Sequence, residues 1–158
     1  MVIDLNGNPL EGGRPSSEIR MHLRIYKHRD DCEAVVHAHP VYATALSLVG
    51  DTIPSDLLYE TAFFLGPVAL VPFGTPGTDE LPNAIEPYLA GHKTLLLMNH
   101  GATVLGNSLW DALHRMDTLD RVAKIVLAAR QIGTPRPMPN DLSEAWQEAL
   151  MHGRLDVE

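Results

Sequence analysis

A sheet covered by helices, an α/β layered domain, is the fold class this sequence predicts. Three observations carry it. Apolar runs of strand length recur at Ala34-Val35-Val36, Val68-Ala69-Leu70-Val71 and Thr94-Leu95-Leu96-Leu97. Segments with apolar residues at helical spacing lie between and after them, and turns rich in glycine and proline separate the two kinds of segment. At 158 residues, 45% apolar and 20% charged, the chain reads as a single globular domain over 1–158 with enough material to bury a core.

Val2-Ile3-Asp4-Leu5 opens the chain as a strand, and Asn6-Gly7-Asn8-Pro9 is a tight turn into a second short one. Pro15-Ser16-Ser17-Glu18 has the form of a helix start with Ser16 or Ser17 as N-cap; Ile19, Leu23 and Tyr26 follow at helical spacing, and Lys27-His28-Arg29 suits a helix C-terminus. Ala34 to His39 is a short strand that Pro40 ends, since proline cannot donate to a ladder. Tyr42 to Val49 is a helix closed by Gly50, and Val68 to Phe73 a strand. A helix over Asp79 to Leu89 is shortened or kinked by Pro87. Thr94 to Asn99 and Ala102 to Leu105 are strands with His100-Gly101 at their joint. Ser108 to Ile132 is the clearest helix, with one apolar stripe over Leu109, Leu113, Met116, Leu119, Val122, Ala123 and Val126. Pro135, Pro137 and Pro139 lead to a last short helix around Leu142 to Leu150.

A net charge of −8 argues against nucleic acid or an anionic membrane as partner, while leaving room for an anionic small substrate in a locally different field. The lone Cys32 permits no internal disulfide, which suits a reducing cytoplasm. No apolar stretch approaches the ~20 residues that span a bilayer, and no basic start followed by an apolar run marks a signal peptide.

The most informative triplet is His37-Ala38-His39. Alternate residues of a strand share a face, so both imidazoles lean into the same space and could ligate one ion at about 2.0–2.1 Å. An H-x-H alone is also met on ordinary half-exposed strands. His100 strengthens the reading: it follows a buried-looking strand and precedes Gly101, where backbone or ligand can approach closely. Three neutral imidazoles with an open position make a catalytic metal site rather than a structural one. Glu18 is the best-placed carboxylate to join them, although acids in the first turn of a helix are common for dipole reasons alone. Ser16 and Ser17 read first as helix caps, and second as groups at a helix N-terminus that favours phosphate. His22 shares a helix face with Glu18 and could support the cluster from behind, but reads first as a surface histidine; His28, His92, His114 and His152 read as solvated. Asp117 and Asp120 are expected to pair with Arg121 or Lys124. Phe63-Phe64-Leu65 and Trp110 are core or subunit contact, and Cys32 is a plain small residue.

Taken in order and at these distances, Pro15-Ser16-Ser17-Glu18, Val36-His37-Ala38-His39-Pro40 and Asn99-His100-Gly101 resemble the class II aldolase/adducin family in its fuculose-phosphate aldolase and ribulose-phosphate 4-epimerase branches. Each motif alone is ordinary, but the ordered set is specific, and the similarity runs from about Val2 to Ile132. It implies a three-layer α/β/α sandwich with a largely antiparallel central sheet, and a homotetramer with sites at subunit interfaces. It also implies zinc, or another divalent metal, on His37, His39 and His100. Glu18 would be both a metal ligand and the catalytic base, and Ser16 and Ser17 would contact a substrate phosphate. The activity implied is aldol cleavage of a sugar phosphate or related hydroxy-carbonyl compound through a metal-stabilised enediolate. Epimerisation and dehydration share the same ligands, and a non-catalytic adducin-like assembly protein is the alternative of another class. Members usually carry an upstream Gly-Asn-x-Ser motif and a Thr-Gly pair that complete the phosphate site; this sequence opens downstream of both, as an N-terminally short domain. The tyrosine that serves the aldolases as general acid falls on Leu58, with Tyr59 one place along, so the acid is unassigned.

Overall fold

A computed structural model describes residues 1–139 of the chain. β1 (Val2–Ile3) and β2 (Pro9–Glu11) form a small antiparallel hairpin, followed by α1 (Ile19–His28), β3 (Ala34–Ala38) and α2 (Val41–Leu48). A π-helical turn at Thr61–Leu65 leads into β4 (Val68–Val71) and α3 (Glu80–Ile85), which tightens into a 3-10 turn at Glu86–Tyr88 where Pro87 sits. β5 (Thr94–Leu97), β6 (Gly101–Gly106) and the long α4 (Leu109–Ile132) complete the described elements. The main sheet has the order β3-β6-β5-β4; β6 runs antiparallel to both neighbours and β4 parallel to β5. The expected helix around Leu142 to Leu150, and His152, lie outside the described residues.

Two cores, one on each face of this sheet, make the three layers. Alternate strand residues point to opposite faces. Leu96, Ala102 and Val104 therefore pack under Leu46 of α2 and Met116, Leu119 and Val122 of α4. Leu95, Leu97 and Leu105 pack under Met21 and Ile25 of α1 and Leu81 and Ile85 of α3. β5 is buried on both faces, which is why Thr94-Leu95-Leu96-Leu97 reads as a continuous apolar run. Among the described residues no helix is long and apolar enough to cross a membrane.

Several sequence expectations need correction. Neither Ser16 nor Ser17 caps α1: Glu18 holds the N-cap position and makes no side-chain cap bond, while Ser16 Oγ accepts from the Glu18 amide at 3.2 Å. Two turns earlier in α4, the expected stripe fails. Leu109 and Leu113 are 68% and 46% exposed, and Ala112 takes the buried place, where α4 closely approaches Gly106. A Cβ on Gly106 would lie 2.5 Å from the Ala112 nitrogen. Asp117 does pair with Arg121, at 2.6 Å. Asp120 instead accepts from the amides of Tyr42 (2.7 Å) and Ala43 (3.0 Å), capping α2 from across the fold. Pro40, at the N-cap of α2, has no side-chain acceptor of its own, and such a cap contributes about 1 kcal/mol. This bond fixes the chain immediately after His39.

Candidate metal centre

His37 stands on β3, His39 one residue beyond its end, and His100 in the turn before β6. Their rings meet edge to face, with centroids 5.2 Å (His37–His39), 4.9 Å (His37–His100) and 5.0 Å (His39–His100) apart. One nitrogen from each can be chosen so that all lie within 4.8 Å of one another. The β3–β6 register produces this arrangement. Opposing Ala38 to Ala102 brings the end of β3 against the start of β6, so the residue after one strand meets the residue before the other.

The orientation of His37 is fixed by its Nδ1, which lies 2.9 Å from the Ala102 carbonyl and 3.1 Å from Thr103 Oγ1. The Thr103 hydroxyl donates to Met21 Sδ at 3.3 Å, so toward His37 its oxygen accepts. A carbonyl and a committed hydroxyl both call for a proton on Nδ1, which leaves Nε2 with a free lone pair directed into the site. Burial pushes the His37 imidazole down to about 4, helped by His100 and His39 beside it and opposed by the Ala102 carbonyl. Burial likewise lowers His100, against the pull of Glu18. At neutral pH both are thus the uncharged species that ligates metal.

Glu18 joins the cluster from the start of α1, with Oε2 4.0 Å from His100 Nε2 and both side chains largely buried. Buried polar atoms normally find partners, yet His37 Nε2, His100 Nδ1 and Glu18 Oε2 have none. Unpartnered nitrogens on two imidazoles whose centroids are 4.9 Å apart, with a third imidazole and a carboxylate beside them, are a donor set that a divalent cation would satisfy. The residues fit a metal. His22 is half-buried rather than a surface group, lowered by burial with Glu18 raising it, and it stands close enough to His37 to act on it electrostatically. Ser16 and Ser17 are exposed at the entry to α1, and a Cβ on Gly77 would lie 3.6 Å from that of Ser17. A separate, mainly apolar groove of about 390 Å³ between the first hairpin and α1 is lined by Ile3, Leu5, Ile19 and Leu23 with Ser16 and His22, and by none of the three ligand histidines.

Sequence reasoning missed Thr103 and the Ala102 carbonyl, because their role exists only once strand pairing places them against His37. It undervalued His22, although the four-residue spacing from Glu18 carried the signal. His28 and His114 are exposed as expected; His92 is half-buried, its Nδ1 on the Tyr88 carbonyl at 3.1 Å.

This is an α/β/α domain that gathers three imidazoles and a carboxylate at one end of its sheet, a group of side chains that could hold a metal ion. The Class II Aldolase and Adducin N-terminal domain family matches residues 1–127, and the chain belongs to that family. It is 34% identical over 128 residues to a 3-oxo-tetronate 4-phosphate decarboxylase of Haemophilus influenzae, covering 78% of this chain and 61% of that protein. It is 33% identical over 145 residues to a 5-deoxy-D-ribulose 1-phosphate aldolase of Bacillus thuringiensis, covering 91% and 68%. Among solved structures, an L-fuculose 1-phosphate aldolase superposes with a TM-score of 0.86 at 35% identity, covering 94% of this chain and 70% of that one. The chain thus spans roughly three fifths to two thirds of the length of such relatives.

Two outcomes follow for the cluster. Protein purified without chelator is expected to hold close to one divalent ion per chain by elemental analysis, and His37→Ala or His100→Ala should each remove most of it; full occupancy in both variants would refute the assignment. Acid should also weaken the metal-free fold. An unfolded imidazole titrates near pH 6.5, and folded His37 at about 4. Between those values the unfolded chain holds the extra proton, so stability falls as pH drops through that window. Urea titrations in chelator should show this loss, and His37→Gln should flatten it.

Proposed function

We propose that this chain is a metal-dependent carbon–carbon lyase, a class II aldolase that splits a sugar phosphate or related hydroxy-carbonyl compound. His37, His39, His100 and Glu18 would hold zinc or a similar divalent ion. The observation that carries the reading is the buried, unpartnered Glu18 Oε2 at the edge of the three imidazoles. When bound, the cation supplies Lewis-acid chemistry, polarising the substrate's carbonyl and accommodating negative charge as the bond breaks. Everything else falls to the chain's own groups. Among the described residues Glu18 is the carboxylate at the cluster, so it would take the proton from the hydroxyl whose carbon becomes the new carbonyl, and the same carboxyl can return a proton to the carbon that keeps the electron pair. His37, lowered by burial and held by its bond to the Ala102 carbonyl, and His100, also lowered by burial, hold the geometry without competing for that proton. Ser16 and Ser17, exposed at the entry to α1, would contact the substrate phosphate.

A second reading is decarboxylation of a 3-oxo acid phosphate, favoured by the relative of that activity in Haemophilus influenzae. It too leaves an electron pair on the carbon beside a carbonyl, with carbon dioxide departing in place of an aldehyde. We place the protein in the cytoplasm on the strength of its lone cysteine. We also infer a homotetramer, because Trp110 (72% exposed), Leu109, Leu113 and Phe64 leave apolar surface around the start of α4.

On a substrate found by screening ketose phosphates and 3-oxo acid phosphates, Glu18→Gln should keep metal at least in part while turnover falls by ~10² or more. Unchanged turnover would move the base elsewhere. Sedimentation should give a mass of about four chains that Trp110→Glu lowers; a monomeric wild type would remove the tetramer.

A further inference from the structure

We propose that Asn99 and Gly101, the two residues flanking His100, are positioning residues that set the metal geometry: Asn99 by turning His100 into the site, and Gly101 by making room for His39. This rests on the metal reading above and concerns how the backbone assembles it.

Residues 97–100 form a tight turn in which the His100 amide donates to the Leu97 carbonyl at 3.2 Å. Asn99 occupies its third position with φ +57°, and among the described residues it is the one non-glycine with positive φ. A turn with positive φ at that position alone is of type II, where Gly and Asn are favoured and β-branched residues are strongly disfavoured. The turn is held on both sides: the Met98 amide donates to the Val71 carbonyl at 3.0 Å, and β6 begins at Gly101, paired with Leu97. The left-handed residue therefore decides where the next side chain, His100, projects. Asn99 is itself exposed, so its backbone conformation is the contribution argued for it.

Gly101 acts on the other ligand. A Cβ there would lie 2.5 Å from the Ala38 carbonyl oxygen and 2.6 Å from His39 Cδ2. Both are closer than any real Cβ contact, and the first is backbone. With a side chain at 101, either the end of β3 moves away from β6 or the His39 ring leaves its place beside His37 and His100. One residue shapes the approach of His100 and the other clears the space of His39, so the triad is set by backbone conformation as much as by the identity of the ligands.

The test measures zinc affinity of the full chain, stripped of metal, by competition with a chromophoric chelator. Gly101→Ala should loosen zinc by about 10–100-fold, the scale of outer-shell changes at metal sites. The same substitution made on top of His39→Ala should add less than about two-fold, because the ligand it displaces is already gone. Asn99→Gly should stay within about two-fold of the wild type, and Asn99→Val, which cannot adopt the turn without strain, should loosen zinc about ten-fold. Asn99 is exposed, so this second pair decides the matter even if Gly101→Ala does not fold. Wild-type affinity in Asn99→Val and Gly101→Ala would overturn the inference while leaving the metal reading standing. A Gly101→Ala penalty of equal size with and without His39 would also overturn it. A wild-type protein that takes up no zinc would overturn the metal reading and the inference with it.

Discussion

Antiparallel pairing between β3 and β6 decides where everything else in the site can go. With His37 opposite Thr103 and Ala38 opposite Ala102, the exit of one strand and the entry of the other fall at the same end of the sheet. The face is decided by the same pairing. Ala34 packs into the core beneath α2 and α4, with Val36 and Ala38 against it, and Val35 packs toward α1 and α3. His37 shares the face of Val35, so it looks toward the helix that brings Glu18 and His22. A slip of one residue would turn His37 to the opposite layer, away from Glu18 and His22 of the α1 side. The division of β3 between the two cores, Ala34, Val36 and Ala38 on one side and Val35 on the other, opposes that slip, and in this sense the hydrophobic cores specify the polar site.

The site is costly in the terms that govern the rest of the fold. Buried polar atoms without partners are unfavourable by about 1–3 kcal/mol each when nothing satisfies them, and three of them gather here. α1 also forgoes an ordinary N-cap: its N-cap residue is Glu18, whose carboxylate is turned to the imidazoles and makes no cap bond. The compensation lies alongside. Leu95, Leu96 and Leu97 are wholly buried next to the site, and Asp120 caps α2 immediately downstream of His39. Local rules are broken where the chemistry is, and the surroundings over-determine the geometry.

This pattern explains what was legible in the sequence. The strands, the long helix and the His-x-His motif were readable because period and spacing survive folding; the strand order, and hence the use of Thr103 and Ala102 behind His37, were not, because they arise from pairing residues about 65 apart. Two misreadings share one cause. Ser16 as a cap and Leu109 and Leu113 as core both follow local preference, and both were overruled by tertiary placement: Glu18 takes the N-cap position beside the cluster, and α4 starts close against Gly106 with Ala112 on its buried side. His22 was misjudged for the converse reason. A helix position four residues from an acid looks solvent-facing until another layer covers it.

The two reactions considered for this site make different use of Glu18, and that difference gives the aldol reading its precedence. In aldol cleavage a hydroxyl proton must leave as the carbon–carbon bond breaks, so a base has to be present before the bond is broken. Decarboxylation releases carbon dioxide without any such deprotonation, and needs only a donor afterwards to protonate the carbon left behind. Glu18 is a carboxylate held largely out of water at the edge of the three imidazoles, with its Oε2 4.0 Å from His100 Nε2 and no hydrogen-bond partner, which is where the proposed reading needs a base. The neighbouring imidazoles reinforce that role: lowered by burial, His37 and His100 do not hold the proton at neutral pH. Under the proposed reading Glu18 is, among the described residues, the group at the cluster that would receive it, and a reaction that opens with proton removal would employ this arrangement more fully than one that does not.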